Sequence, residues 1–302
     1  MKTALFVAMR PALNLEIVKP PPKWRTLLIL GRVSNVPTVW SNCFAGWWLG
    51  GGGSRIGLAA ALCGITFLYL GGMFLNDAFD AEFDRRHRKL RPIPSGGITE
   101  KEVGQWGVLW LTLGAAALVW TGTTAAVLAI TLVLCILVYN AGHKWMSFAP
   151  ALVSACRLLI YLTAAAAGGA ALSGRVIWPA IALAFYVAGL SCLARKESVP
   201  GRPELWPVAL LIAPIALSAL VSDQGRMAAV GVSVLLALWV AWALAQTFGR
   251  DFPRVGVTVS RLLAGIALVD LLAAGQASHG AVWGFVALFG AAIFLQRFVP
   301  AT

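Results

Sequence analysis

Acidic residues are scarce in this chain, with twelve aspartates and glutamates against 24 lysines and arginines in 302 positions. Charged residues make up only 12% of the sequence and hydrophobic ones 59%, with a mean hydropathy of +0.80. A soluble domain typically carries about 25% charged residues, so this chain lacks the charge to cover a water-facing surface. An ordinary soluble enzyme is thereby excluded. Cysteine is equally thin: Cys43, Cys63, Cys135, Cys156 and Cys192 each sit alone in an apolar run with no CxxC spacing. That excludes a disulfide framework or a thiolate metal centre and leaves them as small core residues. His87, His143 and His279 likewise have no ligand-like spacing. The net charge of +12 does not mark a nucleic-acid partner. The basic residues are confined to short junctions between apolar runs, as topology signals and contacts with anionic membrane lipids are.

What the chain has in abundance is long apolar runs. A spanning helix takes roughly 20 residues, and runs of that order recur at about 27–49, 56–79, 103–121, 123–142, 150–171, 177–194, 205–222, 227–248, 257–275 and 281–299. Tight connections are marked by Gly50-Gly51-Gly52-Gly53-Ser54 and by Pro200 and Pro203. The expected fold is an all-α integral membrane bundle of nine or ten transmembrane helices. The count turns on the last pair of runs, because 257–275 contains both Arg261 and Asp270. Residues 1–26 read as a basic cytoplasmic leader ending in Pro20-Pro21-Pro22, and 27–302 as one membrane domain. The short apolar piece Ala4–Met9 is cut off by Arg10 and Pro11 and is not expected to be a signal peptide. Lysines and arginines fall in the leader, in alternate junctions and in the tail. Only Arg55, Arg175 and Arg226 fall in the opposite junctions, while Arg32 and Arg157 lie inside spans. By the positive-inside rule the N-terminus and the loop after the second span face the cytoplasm.

That second span ends in the densest chemistry of the chain, Asn76-Asp77-Ala78-Phe79-Asp80-Ala81-Glu82-Phe83-Asp84. Asp77, Asp80 and Asp84 are three and four apart, so a continuing helix stacks them on one face. Like charges at that spacing repel unless a cation sits among them, and a few carboxylates with room for phosphate oxygens suit Mg²⁺. The plainer alternative is a solvated helix end beside basic residues. Polar groups still within reach of the apolar run are, however, costly and usually functional. Arg85, Arg86, Arg88 and Lys89 read as topology signals. Arg91, beside the turn-forming Pro92-Ile93-Pro94-Ser95-Gly96, is the better candidate for a ligand contact. Tyr139, Asn140 and Lys144 close the fourth span on the same side, either as binding groups or as an interfacial Tyr and a snorkelling Lys. Arg195-Lys196-Glu197 closes the sixth, as a binding cluster or as topology. Asn35 in the first span is a bundle hydrogen-bonder or a cavity ligand. Arg157 and Asp270 are expected to face the bundle interior with partners, and pairing with each other is one arrangement. A faint echo links the second span, with Gly71-Gly72 before Asn76-Asp77, to the sixth, with Gly189-Leu190 before Arg195-Lys196. It hints at two related halves whose second and sixth helices face one cavity.

Asn76-Asp77-x-x-Asp80-x-x-x-Asp84, followed by Arg91-Pro92-Ile93-Pro94-Ser95-Gly96, closely resembles the first signature of the UbiA-type membrane prenyltransferases. Tyr139 with Lys144 is similar to that family's Tyr…Lys element, and the hydropathy pattern resembles the family over nearly the whole chain. The resemblance implies a helical bundle around a central, lipid-accessible cavity. It also implies Mg²⁺-dependent transfer of an isoprenyl group from a prenyl diphosphate to a lipophilic or aromatic acceptor. By carry-over, Asn76, Asp77, Asp80 and Asp84 hold magnesium on the diphosphate, with Asp77 and Asp80 central to catalysis. Arg91 and Lys144 neutralise its oxygens, and Asn35 and Tyr139 belong to the substrate site. One departure stands out. Where the family has a second Asp-rich element after span six, Ser191–Ser198 carries one carboxylate, Glu197. This resembles a divergent branch such as the UbiA-like proteins of the Ebo clusters. Arg195 and Lys196 then replace the missing cation in catalysis and binding, Glu197 is a lone surviving ligand, or the protein binds without turnover. Outside this family, an isoprenoid-handling transporter is the competing reading, although transporter sites usually lie near the midplane on broken helices. CDP-alcohol phosphotransfer is disfavoured because no Asp-Gly-x-x-Ala-Arg occurs.

Overall fold

The structure is a computed structural model that describes residues 22–195, 204–221, 226–249, 253–275 and 278–301. Its described residues form helices α1 (Lys23–Leu30), α2 (Val36–Leu49), α3 (Arg55–His87), α4 (Glu100–Val119), α5 (Thr123–Gly142) and α6 (Ala149–Ala167). There follow α7 (Gly174–Ala194), α8 (Trp206–Leu211), α9 (Ala213–Val221), α10 (Arg226–Phe248), α11 (Val255–Ala274) and α12 (His279–Leu295). Seven of these (α3, α4, α5, α6, α7, α10 and α11) are long and apolar enough to cross a membrane. Trp206–Leu220 and His279–Leu295 are shorter apolar stretches. The all-helical membrane bundle expected from the apolar runs is therefore present, and the large side chains on its outside are apolar: Trp120, Trp145 and Trp283 are among the most exposed. In lipid such a surface is satisfied, whereas in water a band of this kind would aggregate.

Two of the ten expected spans are not continuous. The first breaks at Gly31–Asn35, where a 3₁₀ turn (Val33–Asn35) separates α1 from α2. Pro37 has no N–H to bond backwards, so the chain restarts a helix there. The run at 205–222 breaks at Ile212, two residues before Pro214, for the same reason. The second span runs longer than the hydropathy suggested. Its 33 residues carry α3 past Asp84 to His87, which keeps Asp77, Asp80 and Asp84 on one helix. The loop that follows feeds α4 through a capping box: the Thr99 hydroxyl accepts from Glu102 N, and Glu102 Oε2 accepts from Thr99 N.

Small residues set the helix spacing. A Cβ at Gly114 of α4 would lie 2.6 Å from the Gly64 carbonyl of α3, and one at Gly46 of α2 would lie 2.4 Å from the Tyr161 carbonyl of α6. Close crossing of this kind replaces the hydrophobic effect, which does not act between helices in lipid. The core of the described residues has two large apolar clusters, and a smaller one in which Leu30, Phe74, Ala81, Ile93 and Val103 meet. Of the large clusters, one joins α2 to α3, α4, α5 and α6, and the other joins α2 and α6 to α7, α10, α11 and α12. Between them, at the end where α3, α5 and α7 finish, lies a cavity of about 570 Å³. A second cavity, of about 760 Å³, opens at the opposite end, walled by Trp48, Trp178, Pro214 and Leu272.

Candidate functional site

The 570 Å³ cavity has an apolar interior and a polar mouth. Ile65 and Leu68 of α3, Leu132 and Ile136 of α5, Ile160 of α6, Val187 and Leu190 of α7, and Leu263 and Ile266 of α11 form the interior. Arg32, Asn76, Asp80, Arg88, Arg91, Asn140, His143 and Arg195 ring the mouth. The second and sixth spans, α3 and α7, both contribute walls.

The mouth is organised around α3. Asn76 uses both ends of its amide: Nδ2 donates to Asn140 Oδ1 at 3.2 Å, and Oδ1 accepts from Arg32 Nη2 at 3.3 Å. Asn140 in turn donates to the Gly72 carbonyl at 3.1 Å, which locks α5 to α3. Asp77, buried to 3% exposure, lies 3.5 Å from Arg32 Nη2 and 3.6 Å from Arg91 Nη1 through Oδ1. Its Oδ2 is buried with no hydrogen-bond partner. Asp80 faces the cavity, with Lys144 Nζ 2.7 Å and His143 Nε2 3.5 Å from Oδ1. Asp84, one turn further on, is buried at 3%, and its Oδ1 also lacks a hydrogen-bond partner. Burial, with Arg32 close by, pushes the Arg91 guanidinium in the loop below its ordinary value. An arginine starts so high that it stays charged.

Arg32 is the strained member. It holds φ +40°, a left-handed backbone that costs a non-glycine residue about 1–2 kcal/mol. Its carbonyl accepts the Tyr69 hydroxyl at 3.1 Å, and the resulting kink aims its guanidinium at Met73, Asn76 and Asp77. Strain held in place by the surrounding structure is common at functional sites.

The structure thus brings Asn35, Asn76, Asp80, Arg91, Tyr139 and Arg195 to the wall of one cavity. Asp77, Asp84 and Lys144 are not part of that wall, and Asp77 stands behind Arg32 and Arg91. Arg195 is already engaged, with Nη1 donating to the Ser147 carbonyl at 2.7 Å. Lys196 and Glu197, and the leader up to residue 21, lie outside the described residues. Arg85 pairs with Glu82 of α3 and Glu100 of α4, and Arg86 with Glu82, all on the exposed side. Sequence reasoning assigned no role to Arg32 or His143. A charge inside an apolar span was the available signal for Arg32. His143 was dismissed on spacing, but its partner is on another helix.

No three of the described carboxylate, imidazole and thiol groups converge into a metal cage. That is compatible with Mg²⁺, which retains waters and binds through one or two carboxylates plus substrate phosphates. The unpartnered oxygens of Asp77 and Asp84 are hard anionic donors of the type it takes, so the residues present fit the ion.

The sequence profile of the UbiA prenyltransferase family matches residues 35–300. Among solved structures, the chain is similar to one concerning digeranylgeranylglyceryl phosphate synthase in membranes. Identity is 17% over 90% of this chain and 99% of that chain, with a TM-score of 0.55. It is also similar to a UbiA homologue from Archaeoglobus fulgidus bound to GPP and Mg²⁺, with 13% identity over 91% and 97% of the two chains and a TM-score of 0.51. The same homologue bound to DMAPP and Mg²⁺ gives the same figures, 13%, 91%, 97% and 0.51. At these identities the likeness establishes a common fold. No curated protein matches the chain.

Proposed function

The chain belongs to the UbiA prenyltransferase family, and from that premise we propose that it transfers an isoprenyl group from a prenyl diphosphate to a lipophilic or aromatic acceptor within the membrane. One observation carries the reading: a mouth rich in arginine, with Asp80 among them, opens onto an apolar cavity in a single continuous space. A prenyl diphosphate has that polarity, an anionic head on an apolar tail. The solved homologue described with GPP or DMAPP and Mg²⁺ supports the same donor class and cofactor. The concentration of basic residues in alternate junctions supports a cytoplasmic orientation for the mouth, the leader and the loop after α3, the side where soluble diphosphates are available.

In this proposal Asn76, Asp77, Asp80 and Asp84 form the head-group cluster, with the open oxygens of Asp77 and Asp84 as the first metal ligands. Bound Mg²⁺ supplies charge stabilisation on the diphosphate as the allylic C–O bond breaks. The protein's own cations do the rest. Arg32 and Arg91, now resting on Asp77, turn to the diphosphate oxygens when the donor enters, and Lys144 does the same from Asp80. Arg195, which follows α7, and Lys196, next to it in the sequence, take the place of the missing second Asp-rich element. The bonding pair leaves with the diphosphate. Tyr69 and Tyr139, both in the cavity wall, present ring faces to the allylic cation. The acceptor then forms the new bond to the same carbon and releases a proton. Asn35 adds a polar contact for substrate within the wall.

The lone carboxylate in Ser191–Ser198 favours a second reading, in which the protein binds isoprenoids without turnover. Purified protein given labelled prenyl diphosphates of several lengths with host lipids, with and without Mg²⁺, separates the two. Metal-dependent consumption of donor is expected. Binding without consumption selects the second reading, and absence of binding overturns both. Arg195→Ala with Lys196→Ala is expected to lose donor affinity while Glu197→Gln is milder; the reverse order makes Glu197 a metal ligand.

A further inference from the structure

The second cavity, of about 760 Å³ at the end away from the mouth, takes no part in the proposed reaction. Pockets for small molecules run from about 300 to 1,000 Å³. It lies between the C-terminal ends of α2 and α11, the start of α7, and α9, a helix of only nine residues. Its lining on α7 runs from Gly174 to Ala182, a depth of about 12 Å at the helical rise. The deeper wall is apolar, formed by Pro179, Ala182, Pro214, Val269 and Leu272. Among the described residues, Arg175 is the one charged member of the lining, and no carboxylate joins it.

Three features separate Arg175 from an ordinary structural arginine. It is exposed, and among the described residues nothing pairs with its guanidinium. It stands in the first turn of α7, where the helix dipole is already positive and a cation is unfavourable. That turn holds no acidic residue, and no side chain caps its N–H groups. It also lies at the end where the sequence places few basic residues, so it works against the topology signal instead of adding to it. A second polar group stands beside it. Pro179, four residues on, has no N–H, so the Arg175 carbonyl lacks the helix's own backbone bond.

An unpaired cation on a positive helix end, above a shaft with apolar walls, matches an amphiphile with an anionic head. Trp48 and Trp178 line the same cavity, and tryptophan is the residue that favours the head-group boundary of a bilayer. Guanidinium and helix N-terminal N–H groups are both suited to phosphate. A zwitterionic head would bring an ammonium that no carboxylate of the lining meets, so a head of net negative charge is favoured. We propose that this cavity holds one anionic phospholipid from the leaflet opposite the mouth. Its phosphate rests on Arg175 and the first turn of α7, and an acyl chain lies against Ala182, Pro214 and Leu272. The site is independent of prenyl transfer and of its donor.

The test uses full-length protein in phosphatidylcholine nanodiscs doped with a trace of a photoactivatable lipid, either phosphatidylglycerol or phosphatidylcholine with a diazirine in one acyl chain. Peptide mass spectrometry after photolysis locates the attached probe. Val127 and Ile130, exposed on α5, give the labelling ratio of the two probes in bulk lipid. At Leu217 and Leu272 of the cavity wall, the wild type is expected to favour the phosphatidylglycerol probe by about tenfold over that reference, the scale of one charge-assisted contact. Arg175→Gln is expected to bring the ratio down to the reference, whereas Arg55→Gln, at the same end but outside the cavity wall, leaves it unchanged. Ser218→Trp, which fills the cavity, is expected to remove the label at Leu272 from both probes. Excess inorganic phosphate is expected to change nothing. A wild-type ratio equal to the reference overturns the proposal, as does a preference that survives in Arg175→Gln or is lost equally in Arg55→Gln. Full labelling of Leu272 in Ser218→Trp overturns it too, by putting the lipid outside the cavity. Displacement by inorganic phosphate does so by making this a site for a free anion. The wild-type ratio and the phosphate competition decide without any variant having to fold.

Discussion

Asp77 and Asp270 are both aspartates enclosed in the bundle, at 3% and 0% exposure, yet their surroundings are opposite in kind. Asp270 accepts from Ser41, Asn42 and Tyr161, neutral donors on two other helices, and both of its oxygens are engaged. Asp77 has two arginines at 3.5 and 3.6 Å on one oxygen and nothing bonded to the other. Neutral donors fixed on rigid helices make a closed, structural arrangement. Cations on a strained turn and a loop, crowding one oxygen and leaving the other unbonded, make an open one. The two buried carboxylates therefore differ in kind: one holds α2, α6 and α11 together, and the other keeps an oxygen open.

The sharpest way to break that division is at Asp270. Asp270→Ala strands three donors and leaves Arg157 without its counter-charge, so it is expected to destabilise the protein by about 3 kcal/mol or more, the scale of breaking a buried charge pair. Thermal unfolding followed by tryptophan fluorescence measures it. An unchanged unfolding temperature would make Asp270 as dispensable to the fold as Asp77 is expected to be. Next comes Asp77→Asn, with Asp80→Asn alongside. Each is expected to weaken Mg²⁺-dependent prenyl diphosphate binding by about 100-fold, or about 2.7 kcal/mol, with the protein still folded. Normal metal-dependent binding in both variants would remove the head-group assignment. Tyr161→Phe should cost about 0.6–1 kcal/mol of stability, the range for one hydrogen bond between membrane helices, with donor binding unaffected. Smallest of all is Glu82→Gln. Glu82 shares α3 with the cluster but pairs with Arg85 and Arg86 on the exposed face. Exposed pairs contribute little, so donor binding should not change. A loss there would mean that the outer face of α3 belongs to the site.

Much of this was legible before any coordinate. Apolar runs of spanning length revealed the bundle, because every backbone group in lipid must be satisfied within its own helix. Three-and-four spacing put Asp77, Asp80 and Asp84 on one face, and α3 carries them there. The breaks at Gly31–Asn35 and Ile212 were missed because hydropathy averages across a kink as though it were helix. The Asp270 network was hidden for a different reason. Its members lie at 41, 42, 157, 161 and 270, and no local pattern links residues that far apart. Pairing Arg157 directly with Asp270 was one sequence-level option; in the structure Asn42 stands between them.

By itself the sequence determined that the chain lives in a membrane and that one helix end gathers its acidic residues beside a basic loop. Both are local properties, set by side-chain polarity and helical period. Only the tertiary structure decided which carboxylate is open and which is closed, and which charges meet. Those outcomes depend on how closely α2, α6 and α11 cross, and that is fixed by contacts such as Gly46 against the Tyr161 carbonyl rather than by the character of any single residue.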